Sequence, residues 1–187
     1  MATNSKLAEE IRQTRPFRNA AVEATLGILR TATQLRREFA QVVDPSGITP
    51  AQYNVLRILR GAGAAGIPTL VVRDRLLEEA PGITRLLDKL EVAGLVHRER
   101  ATPDRRQVMC FITPKGLALL KRLDPVIGTV EERCGVALSA PELRAIIDLL
   151  DRVREGIRKA GKTEKTEKKE KREKREKNPR ARKSADA

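Results

Sequence analysis

Between residues 82 and 113 an amphipathic helical segment is followed at once by two short alternating segments, and that order leaves few folds open. Ile83, Leu86, Leu87 and Leu90 stand at i, i+3, i+4 and i+7, so a helix over 82–93 has one wholly apolar face. Gly94 is placed to stop it, because glycine takes up left-handed backbone at little cost. Segments 95–101 and 107–112 then read as strands, separated by the turn Thr102-Pro103-Asp104-Arg105. With Val108, Cys110 and Ile112 on its inner face, Gln107, Met109 and Phe111 are expected to point outward.

Helices are expected on both sides of this unit. Val22, Leu26, Leu29, Ala32, Leu35 and Phe39 recur every three or four residues over 20–43, and Asp44-Pro45-Ser46-Gly47 ends that run. Thr49 then reads as an N-cap, with Pro50 at the first helical position and Gln52 closing a capping box. Val55, Leu56 and Leu59 form the buried stripe of this helix, and 61–66 is a glycine-rich flexible connection. A short helix over about 69–77 carries Val72 and Leu76, and 78–81 makes the turn into the helix over 82–93. Thr113-Pro114 opens a further helix that the internal Pro125 should kink or break, with Ile127, Val130 and Cys134 continuing its stripe. Ser139 to Glu142 is a second capping box, ahead of Leu143, Ile146, Ile147, Leu150, Val153 and Ile157.

The expected fold is mainly α with a small β-hairpin wing: a winged helix-turn-helix lobe with helical regions before and after it. The expected divisions are an N-terminal helical dimerisation region over 1–47, the lobe over 48–116, a C-terminal helical dimerisation region over 117–160 and a charged Lys/Glu-rich tail over 161–187, helical or disordered. The outer helices carry more apolar surface than a lobe of roughly 70 residues can bury, and an unburied stripe must find cover. Isologous pairing of two chains supplies it, a homodimer being the commonest arrangement of soluble oligomers. An intramolecular bundle is the alternative.

Charge narrows the partners. The formal net charge is +13, of which the residues from Gly161 onward contribute +6, from 12 Lys/Arg against 6 Asp/Glu. A basic body with a basic tail points to a polyanionic partner, and nucleic acid is the expected one. With no apolar run near the roughly 18 residues of a membrane span and no signal-peptide core, no membrane partner is expected. A soluble cytoplasmic protein, associated with the nucleoid when bound to DNA, is the expected setting. Phe17, Phe39, Tyr53 and Phe111 are too few and scattered for stacking single-stranded bases, whereas duplex grooves need no such platform. His97 is the single histidine, and Cys110 and Cys134 lie far apart outside any Cys-x-x-Cys pattern, so neither a metal nor a cofactor is expected. Both cysteines read as small buried hydrophobes. No nucleophile–base or metal constellation suggests an enzyme.

With its apolar face inward, the helix over 82–93 leaves Thr84, Arg85, Asp88 and Lys89 outward, and Pro81 and Gly82 at its start. Arg85 suits guanine O6 and N7, Thr84 a base edge or a thymine methyl, and Lys89 a phosphate. The helix N-terminus offers N–H groups to phosphate. An ordinary solvated face in which Arg85 pairs with Asp88 is the competing reading. At the hairpin tip Arg105 and Arg106 can enter a narrow minor groove, where the negative potential is strong, with Asp104 holding the arginine extended.

Thr49-Pro50-Ala51-Gln52-Tyr53-x-Val55-Leu56, then Thr84-Arg85-Leu86-Leu87-Asp88-Lys89-Leu90-Glu91-x-x-Gly94-Leu95-Val96, then Asp104, Arg106, Ile112 and Thr113 occur in that order. Over about 48–120 the chain resembles the MarR family of bacterial transcription regulators. The resemblance implies a triangular dimer on a pseudo-palindromic operator, released by a small-molecule effector or by thiol oxidation. It also implies that Arg106 is the minor-groove wing residue, Asp104 its orienting partner, and Thr84, Arg85 and Lys89 the major-groove residues. An effector pocket is implied between lobe and dimer region, with no residues assigned. Two departures stand out. Val71 and Arg73 replace a usual polar and a usual small residue, so Arg73 receives no DNA role. No cysteine precedes Cys110, which argues against thiol sensing from the N-terminal helix.

In the tail, Glu164, Glu167, Glu170, Glu173 and Glu176 recur every three residues, each followed by a lysine, and Pro179 ends any helix there. Such a tail is expected to raise non-sequence-specific DNA affinity. The expected function is a double-stranded DNA-binding regulator and repressor. The alternative is a winged-helix protein-interaction module with a charged recruitment tail, which would need neither Arg85 nor Arg106.

Overall fold

The computed structural model describes residues 5–78, 82–101 and 107–177. Seven α-helices and a three-stranded sheet make up these residues. In chain order they are α1 (Lys6–Glu10), α2 (Ala20–Val43), α3 (Pro50–Ala62), β1 (Ile67–Pro68), α4 (Thr69–Asp74), α5 (Ile83–Val92), β2 (Val96–Arg100), β3 (Val108–Ile112), α6 (Pro114–Gly135) and α7 (Ala140–Lys177). The chain falls into two compact units, Met1–Cys134 and Gly135–Ala187.

In the first unit the capping box at Thr49 forms as the spacing requires. Thr49 accepts from the Gln52 N–H at 3.3 Å while the Gln52 side chain accepts from the Thr49 N–H at 2.9 Å. Two orphan donors at the start of α3 are thereby satisfied. Val55, Leu56 and Leu59 on α3 meet Val72 on α4, Leu87 and Leu90 on α5, and Leu120 and Leu123 on α6 in one core. Each is at least 95% buried, and truncating one of the leucines would cost about 2–5 kcal/mol.

The end of α5 follows the glycine prediction. Gly94 has φ +70°, and bonds from Gly94 to Glu91 and from Leu95 to Leu90 close a Schellman turn. Lys115 Nζ donates to Ala93 O at 2.7 Å and Thr113 Oγ1 to Gly94 O at 2.8 Å, so the start of α6 is tied to the end of α5.

Several expectations need correction. The sheet has order β1-β3-β2, not two strands, because Ile67 and Pro68 pair with Cys110 and Met109. The glycine-rich connection is shorter than expected: α3 runs on to Ala62, and a 3-10 turn over Gly63–Ala65 leads into β1. Phe111 was expected to meet solvent, but Gly66, just ahead of β1, closes on its ring. Phe111 is half-buried, stacked on His97 at 4.8 Å between centroids and pressed against Gly66. Cys110 is fully buried as expected, while the side chain of Cys134 lies outside the description. Helix α4 ends at Asp74, three residues early; beyond it Leu76 still packs on the core, but Leu77 is exposed and its N–H is held by Asn54 Oδ1 at 3.1 Å. Helix α6 passes through Pro125 unbroken. Proline removes one intrahelical donor, and burial of Leu123, Ile127 and Val130 around it holds the helix together.

The second unit is chiefly α7. At its start Glu142 accepts from both the backbone N–H and the hydroxyl of Ser139, at 2.7 and 2.6 Å, which is the glutamate half of the expected capping box. Between helix and disorder for residues 161–177, the chain takes helix, through to Lys177.

Candidate nucleic-acid interface

Helix α5 presents the candidate reading face. Its buried side is Ile83, Leu87 and Leu90, with Leu86 partly buried. On the opposite side Thr84, Arg85 and Lys89 are exposed. Arg85 and Lys89 are four residues apart and so share a ridge, which concentrates positive potential along it. At the N-terminus Gly82 has φ +111° and no side chain, so that among the described residues no side chain caps the helix. Pro81, Asp104, Arg105 and Arg106 lie outside the described residues. The strands on either side of the tip are closed by the bond from Ala101 N–H to Gln107 O at 3.0 Å.

The competing arrangement, Arg85 paired with Asp88, does not occur. Asp88 Oδ1 is held by Arg98 of β2 at 2.6 Å. Arg98 also donates its backbone N–H and its guanidinium to Glu91, at 2.9, 3.0 and 2.5 Å. The Arg98 hydrogen bonds hold the Glu91 carboxyl below the usual carboxylate range. Both acids of the outward half of α5 are thus drawn to the sheet side. Among the described residues Arg85 and Lys89 make no ion pair, and their charge faces out uncancelled.

Arg98 was missed in the sequence. Its signal was an arginine in a strand directly after a helix bearing Asp88 and Glu91 three residues apart, but the register that brings them together is tertiary. Arg73 pairs with its neighbour Asp74 at 2.9 and 3.0 Å. Cys110 sits beside Thr69 Oγ1 at 3.3 Å, and burial pushes its thiol pKa up, so it is poorly suited to oxidation.

A cavity of about 430 Å³ lies between α2, α3 and α5. Phe39, Tyr53 and Leu86 supply apolar wall, and Arg57, Arg85 and Lys89 supply cations. Arg36 and Glu78 also border it and neutralise each other at 2.6 Å. Arg57 lies 5.9 Å over the Tyr53 ring, whose phenol pKa is raised by burial. Among the described residues no group of histidine, cysteine and carboxylate side chains is arranged to hold a metal. Nor is any described helix long and apolar enough to cross a membrane.

Comparison with known proteins decides the lineage. Residues 46–107 match the MarR family. A MarR transcription factor from Planctomyces limnophilus, known from its crystal structure, is 36% identical, and the match covers 73% of this chain and 98% of that one with a TM-score of 0.57. The chain belongs to the MarR family. Its lobe has the winged-helix fold of that family. The regulator TtmR of Methylorubrum extorquens is 34% identical over 129 residues, 68% of this chain and 64% of TtmR, so somewhat less than two thirds of that relative is spanned. The repressor CouR, solved on a 23-mer DNA duplex, is 26% identical with a TM-score of 0.63, over 74% of this chain and 99% of CouR.

Proposed function

We propose that this MarR-family regulator is a ligand-responsive repressor that binds a pseudo-palindromic operator as a homodimer in the cytoplasm. Thr84, Arg85 and Lys89 read or clamp the major groove, and the α5 N-terminus at Pro81 and Gly82 takes a phosphate. Arg105 and Arg106 enter the flanking minor groove, with Asp104 orienting them. The observation that carries this reading is the diversion of Asp88 and Glu91 to Arg98, which among the described residues leaves Arg85 and Lys89 without an ion pair on one exposed ridge. A relative solved on a DNA duplex supports the same use of the fold, and reading the chain as a regulator rather than an enzyme rests on relatives that are themselves regulators.

Dimerisation is supported by apolar surface that each unit leaves uncovered. Ile28 and Leu29 on α2 are exposed, as are Leu143, Ile146, Ile147, Val153 and Ile157 on α7. Stripes of this size on a soluble chain mark an interface, and a second copy is the occupant that a two-fold regulator requires.

The cavity beside α5 is proposed as the effector site. Its aromatic and aliphatic walls with three cations suit a small, flat, anionic molecule. Because Arg85 and Lys89 border it, an anion bound there would draw on the charges that face DNA.

Selection of bound fragments from random duplex DNA tests the reading. An inverted repeat is the expected product; recovery of no common sequence would overturn it.

A further inference from the structure

Helix α7 runs unbroken to Lys177, and its last turns differ in kind from its first. The apolar stripe ends at Ile157, and residues 162–177 contain no apolar side chain, only 9 Lys/Arg, 5 Glu and 2 Thr. Every Glu from 164 to 173 has a Lys four residues later, the orientation that supports a helix without tertiary packing.

The repeat length has a geometric consequence. On a helix of 3.6 residues per turn, a three-residue repeat slips back by about 60° each time. The lysines at 165, 168, 171, 174 and 177 therefore wind through roughly 240° of the helix circumference, and Lys169, Arg172 and Arg175 wind alongside them. The surplus of cations is spread around a rod about 23 Å long and belongs to no single face.

We propose that residues 162–177 form a cationic helical arm that grips the phosphate backbone of duplex DNA outside the sequence-read site. The inference rests on the reading of the chain as a DNA-binding regulator. A rod without a distinct face cannot recognise a shaped protein partner, and it has no aromatic or aliphatic anchor to serve as a hot spot. An anionic membrane would attract the same cations, but with no apolar face to insert the rod would be held there by charge alone. The regulator reading, by contrast, already supplies duplex DNA as a partner. What the rod offers is a positive field, and the partner that rewards a field is a polyanion of high linear charge density, through release of condensed counterions. Duplex DNA carries one charge per about 1.7 Å of axis, so the arm spans roughly a dozen phosphates.

The test compares the full chain with a chain ending at Ala160, each titrated with its selected operator and with random duplex from about 50 to about 200 mM salt. The full chain is expected to show the steeper dependence, by about 2–4 in log K against log salt for each arm engaged. Truncation is expected to weaken random-duplex binding at low salt by at least tenfold and to leave the melting temperature of the body unchanged. The triple variant Lys169→Gln, Arg172→Gln, Arg175→Gln, with helicity checked by circular dichroism, should fall between the two. Equal slopes for the full and shortened chains on random duplex would overturn the arm, as would equal slopes combined with arm-dependent sedimentation on phosphatidylserine vesicles. Operator preference reports separately on the proposed function, because a shortened chain that still selects its operator leaves that reading standing whatever the slope.

Discussion

Arg98 and Glu91 lock the sheet to the reading helix, with the backbone N–H and the guanidinium of one residue both held by the carboxylate of the other. The side chains are partly shielded, at 21% and 36% exposure, and Asp88 joins the same guanidinium. Two functions follow from one contact. The hairpin is held in register against α5, and two carboxylates are drawn away from the face on which Arg85 is exposed.

Replacing Arg98 by alanine should therefore do two things at once. Stability should fall by about 1 kcal/mol in urea unfolding, since the partly exposed carboxylates of Glu91 and Asp88 lose charge-assisted partners but regain water. Operator affinity should fall beyond what the remaining folded fraction explains, because the freed Asp88 lies within one turn of Arg85. A variant that loses stability but keeps its affinity per folded molecule would refute the second role.

The same pair predicts an acid dependence. Glu91 has its folded pKa lowered by Arg98, so it contributes stability above the unfolded carboxylate pKa. That contribution is lost as pH falls below roughly 4 and through the folded value. The melting temperature of the parent should thus drop more steeply on acidification than that of Glu91→Gln, and parallel curves would remove the assignment.

Arg85→Ala should weaken operator binding by about 1–3 kcal/mol and relax one base preference. Unfolding midpoints should not move, since the side chain is exposed. Arg106→Ala should weaken binding to narrow-groove sequences in the same gel-shift series.

Gly116→Ala tests the close seating of α6 under the sheet. A β-carbon there would stand 2.3 Å from Leu95 O and 2.8 Å from Ile112 Cγ1, and a backbone carbonyl cannot rotate away. A loss of about 1–3 kcal/mol or more is expected from this overpacking. A melting temperature unchanged from the parent would show that α6 can shift.

Ile147→Asp places a charge in the uncovered stripe of α7, where Ile147 is 47% exposed in the single chain. Analytical ultracentrifugation should then report a mass halved relative to the parent with helicity retained. An unchanged mass would direct the interface elsewhere.

Much of this molecule was legible in one dimension because its signals are local. The Thr49 capping box, the Gly94 stop, the spacing of Ile83, Leu87 and Leu90, and the burial of Cys110 all follow from neighbours within one or two turns. The same applies to the exposure of Thr84, Arg85 and Lys89, which is the complement of the buried stripe. Helix periodicity and capping chemistry are properties of short stretches of backbone, and sequence alone determined them. Tertiary structure decided where distant stretches meet. It paired Ile67 with Cys110 to add a third strand, covered Phe111 with Gly66 and His97, and let α6 run through Pro125 because packing outweighed one missing donor. Above all it set Arg98 opposite Asp88 and Glu91, a choice of register across the fold that no local pattern encodes, because electrostatic pairing depends on separation in space and not along the chain.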